Sequence, residues 1–391
     1  MHPIVRLKKN KEASVKRFHP WIFSGAIEHL PKGLNEGDIV DVTDNKGVFL
    51  ARGHFQPDSI SVRILTFNPI EINTVFYQEK IKAALELRKC LGLLRNETTN
   101  VFRLIHGEGD ALPGLIADYY NGLVVLQFHS AGMYRQRIEI VDAILNEIKT
   151  VKAIYNKSLA TLPPKFEHKG EDGFLYGNSD NPIEVVENNI RFKINFIEGQ
   201  KTGFFIDQRE NRQLLAHFCK GKTVANLFGY TGGFSLYAAK ANAQKVLTVD
   251  SSAKAIAMAQ ENYRLNQCTS IENWVSDVND FFKISQQEWD IVILDPPAFA
   301  KHHRHRAKAL MAYKNLNAKA MRIIKKGGIL FSYSCSQAIS AADLRQAIFV
   351  AAAGEKRAAT ILFQMHQPGD HPISIYHPEG EYLKGFVVKV D

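Results

Sequence analysis

Apolar and polar positions change their rhythm along the chain. Through residues 4–67 short alternating runs are broken by Gly, Pro and Asp: Gly37-Asp38 opens one, Asp44-Asn45-Lys46-Gly47 turns, and Ser61-Val62-Arg63-Ile64-Leu65 closes another. Alternation punctuated by turn residues predicts strands, here of a small β-barrel module. Helix spacing takes over in residues 74–94, with Ile81, Leu85 and Leu87 apolar. Residues 101–197 mix strand-like runs such as 122–128 with a helix around 134–148 and a turn-rich, charged stretch at 163–182, which predicts a middle α/β segment. From Lys222 onward strand, Gly-rich turn, helix, strand and helix follow one another, the grammar of a doubly wound parallel sheet. The expected division is 1–70, 71–197 and 198–391.

The residues able to do chemistry fall where the predicted strands end. Residues 222–228 form the first strand, Gly229-Tyr230-Thr231-Gly232-Gly233 the turn, and 234–240 the helix; glycines there would let a ligand approach the main chain. The strand 245–250 ends in Asp250, with Ser251 after it, placed to accept hydrogen bonds from a ribose. A nicotinamide cofactor would satisfy that acid equally well. Dinucleotide binders, however, space their glycines as GxGxxG, and this turn departs from that spacing, so a phosphate-free cofactor such as S-adenosylmethionine (SAM) suits it better. Asp277, followed by Val278, closes the third strand within reach of an adenine edge. The strand 289–294 delivers Asp295-Pro296-Pro297-Ala298-Phe299 to the carboxyl edge of the sheet. Its prolines hold an extended course, and Phe299 offers a face for a flipped base.

The fifth strand, 328–334, ends at Cys335-Ser336 beside Asp295, where a nucleophile attacking a pyrimidine ring is needed. Cys90, Cys219 and Cys268 read instead as small buried hydrophobes. Beyond Phe299, Lys301, Arg304, Arg306 and Lys308 form a cationic run suited to phosphates; its histidines lack acidic partners and make a poor metal site. The runs 360–365 and 383–390 predict a closing hairpin with one antiparallel strand, as class I methyltransferases have and Rossmann dehydrogenases do not.

Charge and cysteine usage narrow the class. Lys+Arg number 49 against 40 Asp+Glu, a net charge of +9, which favours a polyanionic partner. Four scattered cysteines show no zinc or disulfide spacing and fit reduced thiols of the cytosol. No signal-peptide stretch and no apolar run near the roughly 18 residues of a membrane span is present, so a cytoplasmic protein with no membrane partner is expected.

These motifs resemble the PUA-domain family of large-subunit (23S) ribosomal RNA cytosine-5 methyltransferases, over nearly the whole chain. His19-Pro20-Trp21-Ile22-Phe23 and Arg63-Ile64 look like a PUA RNA-binding domain, and Gln200-Lys201-Thr202-Gly203-Phe204-Phe205-Ile206-Asp207-Gln208-Arg209 is similar to the segment leading into the family's catalytic domain. The resemblance implies SAM as cofactor, held by Gln208, Phe228, Gly229, Tyr230, Thr231, Gly232, Asp250, Ser251, Asp277 and Val278. It implies Cys335 as the nucleophile at C6 of a cytosine, Asp295 at N3, and RNA contacts from Lys201, Pro296, Pro297, Phe299, Lys301, Arg304 and Arg306. Ribosomal RNA is the implied partner, and a homodimer stays open. One departure stands out: many RNA cytosine-5 enzymes carry a second cysteine beside the DPP-equivalent motif, where this chain has Ala298 and Phe299. The base that takes the C5 proton is therefore open. The rival readings are a guanine-N7 or exocyclic-amine RNA methyltransferase on the same fold, and an inactive PUA-type RNA-binding factor.

Overall fold

A computed structural model describes residues 2–94, 96–167, 170–285, 287–300 and 303–391. The chain folds into two compact units: Met1–Val185 with Ile194–Ile206 and Gly369–Gly380, and Val186–Lys193 with Asp207–Pro368 and Glu381–Asp391. Of the three segments expected from sequence, the first two thus share one unit, while residues 186–193 group with the C-terminal sheet and 369–380 return to the first unit.

The first unit opens with a six-stranded sheet in the order Trp21–Phe23, Ile60–Thr66, Phe49–Phe55, Ile39–Thr43, Ile4–Leu7, Ile27–His29. All its pairings are antiparallel except that of Ile4–Leu7 with Ile39–Thr43. Alternation along these strands sends Val5, Leu7, Val40, Val42, Val62 and Ile64 into one core. The helix Thr74–Cys90 follows, capped by the Asn73 side chain on Phe76 N–H. It stops short of the expected residue 94 because Gly92 turns left-handed (φ 72°).

A five-stranded sheet completes the unit, in the order Gly173–Gly177, Ala153–Asn156, Leu123–Phe128, Leu115–Tyr120, Val101–His106. Two expectations are corrected here. Gly173–Gly177 lies in the stretch read as turns yet pairs antiparallel with Ala153–Asn156; as a largely exposed edge strand it carries no apolar alternation. The helix expected around 134–148 is two, Ala131–Arg135 and Arg137–Glu147. They part at Gln136, whose side-chain oxygen accepts from the Tyr77 hydroxyl and lies 3.1 Å from His54 Nε2.

The second unit is built on seven strands: β1 Thr223–Leu227, β2 Lys245–Asp250, β3 Ile271–Val275, β4 Trp289–Leu294, β5 Ile324–Ser334, β6 Ala359–His366 and β7 Lys384–Val390. Their order is β3-β2-β1-β4-β5-β7-β6. Pairing is parallel from β3 to β5, and β7 runs antiparallel to both of its neighbours. Helices cover the sheet: α1 Arg209–Ala216, α2 Gly233–Lys240, α3 Ala253–Leu265, α4 Val278–Ile284, α5 Arg306–Ile323 and α6 Ala341–Gly354. Alternate residues of β1 and β4 face opposite ways. Val224, Ile291 and Ile293 pack with Leu215 of α1 and Ala238 of α2, whereas Ala225, Leu227, Val292 and Leu294 pack with Tyr313, Leu316, Leu344 and Ile348 of α5 and α6. Burial on both faces explains why these strands read as continuous apolar runs. Register sets Leu227 opposite both Val249 and Leu294, and Leu294 opposite Ser332. The carboxyl ends of β1, β2, β4 and β5 are therefore level, at the edge where open α/β sheets bind ligands.

Candidate active site

The chain leaves β1 in a strained turn. Phe228 (φ 62°), Tyr230 (φ 46°) and Gly232 (φ 81°) are all left-handed, a conformation that costs of order 1–3 kcal/mol at each residue bearing a side chain. Hydrogen bonds hold it there. Gly229 N–H donates to Val249 O and Gly232 N–H to Gly229 O, each at 2.9 Å. Tyr230 N–H donates to Asp250 Oδ2 at 2.9 Å, and Ser252 N–H reaches Asp250 Oδ1 at 2.8 Å. The acid at the end of β2 is thus fixed by the main chain on both oxygens. Packing beneath the turn demands the glycines. A Cβ on Gly229 would lie 2.4 Å from Thr248 Cγ2, and one on Gly232 would lie 2.3 Å from the Tyr263 hydroxyl. The sequence assigns these glycines to ligand approach, but the side chains below already require them. Asp277, exposed after β3, accepts Asn279 N–H at 2.7 Å on Oδ1 and caps α4, whose first residue Val278 is buried; Ser251 is exposed.

Along the same edge, the half-buried Cys335 has its Sγ 4.0 Å from the carbonyl oxygen of Pro296. Asp295, also half-buried, accepts from Gln208 Nε2 at 3.0 Å on Oδ2, and Gln208 Oε1 accepts from Asn211 Nδ2 at 2.6 Å. The sequence places Gln208 beside the cofactor; in the structure its side chain donates to the Asp295 carboxylate. Pro297 and Phe299 are exposed. The Phe299 ring stands 4.8 Å from that of Tyr313 on α5, whose hydroxyl is 3.0 Å from Ser336 Oγ. Burial raises the pKa of this phenol, and the charges of Cys335 and Asp295 push the same way, so it stays protonated. Lys384, the buried first residue of β7, donates from Nζ to Ser336 O and Tyr382 O, each at 2.8 Å.

Sequence reasoning missed Asn211, Tyr313 and Lys384. Tyr313 has the spacing of an ordinary core residue. Lys384 is a lone cation opening an apolar strand, a weak signal that was available.

Two family descriptions match: the PUA-like domain over residues 5–67 and the S-adenosylmethionine-dependent methyltransferase over residues 102–368. The chain belongs to the S-adenosylmethionine-dependent methyltransferases. Ribosomal RNA large subunit methyltransferase I of Shewanella denitrificans is 38% identical to it over 400 residues, covering 99% of each chain. The protein of the same name from Aeromonas salmonicida is 36% identical over 398 residues, covering 100% of each. Among solved structures, a SAM-dependent methyltransferase candidate from Streptococcus mutans aligns with a TM-score of 0.85 at 23% identity, over 99% of this chain and 100% of its own. Another methyltransferase candidate, complexed with SAH, gives 0.84 at 23% identity over 99% of each. At that identity the likeness establishes the fold.

The turn of this methyltransferase suits its cofactor. The N–H groups of residues 229, 230 and 232 are engaged within the chain, and two carboxylates, Asp250 and Asp277, stand at the ends of β2 and β3. Such a rim offers poor phosphate binding and repels a pyrophosphate, while its acceptors match ribose hydroxyls, an adenine amine and a positive sulfonium.

The remaining expected residues are placed as follows. Lys201 belongs to the first unit, with Nζ 4.5 Å over the Phe205 ring. Lys301 lies outside the described residues. Arg304 and Lys308 are exposed. Arg306 is ion-paired through Nη2 to Asp343 Oδ1 at 2.5 Å, and Asp343 forms the capping box of α6 with Ser340. Cys219 is buried and its thiol is pushed up to about 12 by burial. Cys90 is exposed at the end of its helix, against the expectation that it is a buried hydrophobe. Among the described residues no cluster could hold a metal ion and no helix is long and apolar enough to cross a membrane.

Proposed function

We propose that this methyltransferase acts on C5 of a cytosine in large-subunit ribosomal RNA, through a transient bond between Cys335 and C6. The names of its relatives support the RNA class. The position on the base rests on one observation: a half-buried thiol 4.0 Å from the Pro296 carbonyl, next to Asp295. Exocyclic amines and guanine N7 attack with their own lone pairs and need no sulfur at that edge. C5 of cytosine has no lone pair and becomes nucleophilic only after a group adds at C6.

The cofactor supplies an electrophilic methyl group. Cys335, as thiolate, forms the S–C6 bond and drives the C5=C6 electron pair toward C5, which then takes the methyl. Asp295, entering as the carboxylic acid, gives its proton or a hydrogen bond to N3, where negative charge develops, and Gln208 holds that carboxyl group. Once C5 has lost its proton to a base, the S–C6 pair returns to Cys335 and the double bond is restored. Phe299 stacks on the flipped base, and Pro296 and Pro297 keep the strand exit extended.

Residues 228–232 at the turn, Asp250 and Ser251 at the ribose, and Asp277 and Val278 near adenine would hold the cofactor. Arg304 and Lys201 contact phosphates, with Arg306 sharing its charge with Asp343. Such a substrate would meet the enzyme in the cytoplasm.

Cys335→Ala tests the assignment. The variant should bind SAM as tightly as the parent yet leave ribosomal RNA without 5-methylcytosine in nucleoside mass spectrometry, and RNA containing 5-fluorocytidine should trap only the parent. A Cys335→Ala protein that still methylates RNA sinks the covalent route and points to a nitrogen target.

A further inference from the structure

We infer that Lys384 is a positioning residue for Cys335: its buried ammonium, tied to the carbonyl that follows the cysteine, favours the thiolate over the thiol. The inference builds on the role given to Cys335 above.

Lys384 sits between two strands, opposite Ser334 of β5 and His366 of β6. Its side chain is almost wholly buried, and Nζ is held by Ser336 O and Tyr382 O, each at 2.8 Å. Among the described residues no carboxylate lies within ion-pair distance of it. A buried charge of that kind is costly, and two carbonyls alone could have been served by a neutral donor. The cation therefore calls for a negative partner that is present only part of the time.

The thiol of Cys335 is within electrostatic range. Burial lowers the pKa of Lys384, while Cys335, Glu381 and Asp343 favour its charged form. The groups around the thiol divide simply. Asp295, at the end of β4, opposes a thiolate. Tyr313 of α5 and Tyr333 of β5 are kept neutral by burial, the latter also feeling Arg212. Lys384 favours the thiolate, as Cys335 in turn favours the charged lysine. A thiolate beside a lysine is the usual state of a reactive cysteine, and a sulfur poised before substrate arrives lowers the cost of attack on C6.

The test is the pH dependence of iodoacetamide alkylation at Cys335, read on its own peptide by mass spectrometry so that the other cysteines do not interfere. In the parent protein the half-point should lie below the ordinary thiol value of about 8.5; a half-point at or above it overturns the proposal with no variant needed. Lys384→Gln keeps a donor for the carbonyls but removes the charge, and should move the half-point up by about one pH unit, a tenfold slower reaction near neutrality. Lys384→Arg should restore the parent profile. A Lys384→Gln protein that melts normally, binds SAM, and alkylates with the parent's profile refutes the coupling, and then the lysine merely ties the strands. Failure of the nucleophile assignment would show separately, as an active Cys335→Ala protein.

Discussion

Gly232→Ala should damage cofactor binding far more than the same change one residue later. At position 232 the backbone is left-handed (φ 81°), and an added Cβ would lie 2.3 Å from the hydroxyl and 2.5 Å from a ring carbon of Tyr263. The φ value alone costs an alanine about 1–2 kcal/mol. The ring cannot step aside freely, because Tyr263 is buried and its hydroxyl is 2.7 Å from Thr248 Oγ1; overpacking of this kind typically costs a further 1–3 kcal/mol or so. The expected total is about 2–5 kcal/mol, shared between folding and the shape of the turn. Gly233, by contrast, is helical, and its Cβ would meet the Arg212 side chain at 3.2 Å, a contact that needs a shift of only a few tenths of an ångström, so alanine there should cost far less than at 232. Isothermal titration with SAM, alongside thermal melts, separates the two sites: Gly232→Ala should lose at least tenfold in affinity and melt lower, and Gly233→Ala should stay within about threefold of the parent. Equal affinities for the two variants would refute the account of a turn held from beneath by Tyr263.

Other outcomes follow from the same edge and from the first unit. Asp250→Ala leaves the Tyr230 and Ser252 N–H groups without their acceptor and should weaken SAM binding by tenfold or more (about 1.4 kcal/mol); unchanged titration curves would remove this acid from the cofactor site. Arg304→Glu combined with Lys308→Glu should weaken RNA binding and flatten its salt dependence by about one charge per lost phosphate contact, and an unaltered slope would clear the loop of that role. His54 is buried, and burial pushes its pKa down to about 4. In the unfolded chain this histidine titrates near 6.5 and binds more protons below that value, so stability present above pH 6.5 is lost as the pH falls toward 4, by up to about 3 kcal/mol. His54→Gln should make the fall in melting temperature between pH 6.5 and 4.5 shallower, and parallel curves would contradict the assignment.

Much of the second unit could be read from sequence because its signals are local. β2 and β4 are buried on both faces, so their apolar runs state their limits directly, and the DPP motif and Cys335 follow strands whose ends the parallel register makes level. What escaped depends on partners distant in sequence. Nothing near Gln136 says that two helices will part there or that its side chain will take the Tyr77 hydroxyl. Gln208 could be assigned to the site but not to Asp295, 87 residues away. Arg306 looked like a free cation because Asp343 lies 37 residues on. Gly173–Gly177 is a strand by virtue of its neighbour, since an exposed edge needs no hydrophobic pattern of its own.

The route of the chain carries a practical consequence. It crosses from one compact unit to the other after Val185, Lys193, Ile206, Pro368 and Gly380. Scission at any one of these points divides the chain into two pieces with no bond between them, but segments from either side of the cut pack within the same unit and hold each other. A protease nick at a crossing should therefore be silent on a sizing column until denaturant is added. Nor can the catalytic half be excised as one uninterrupted stretch: beginning at residue 207 forfeits residues 186–193, which include Glu187, the buried carboxylate that holds Arg212.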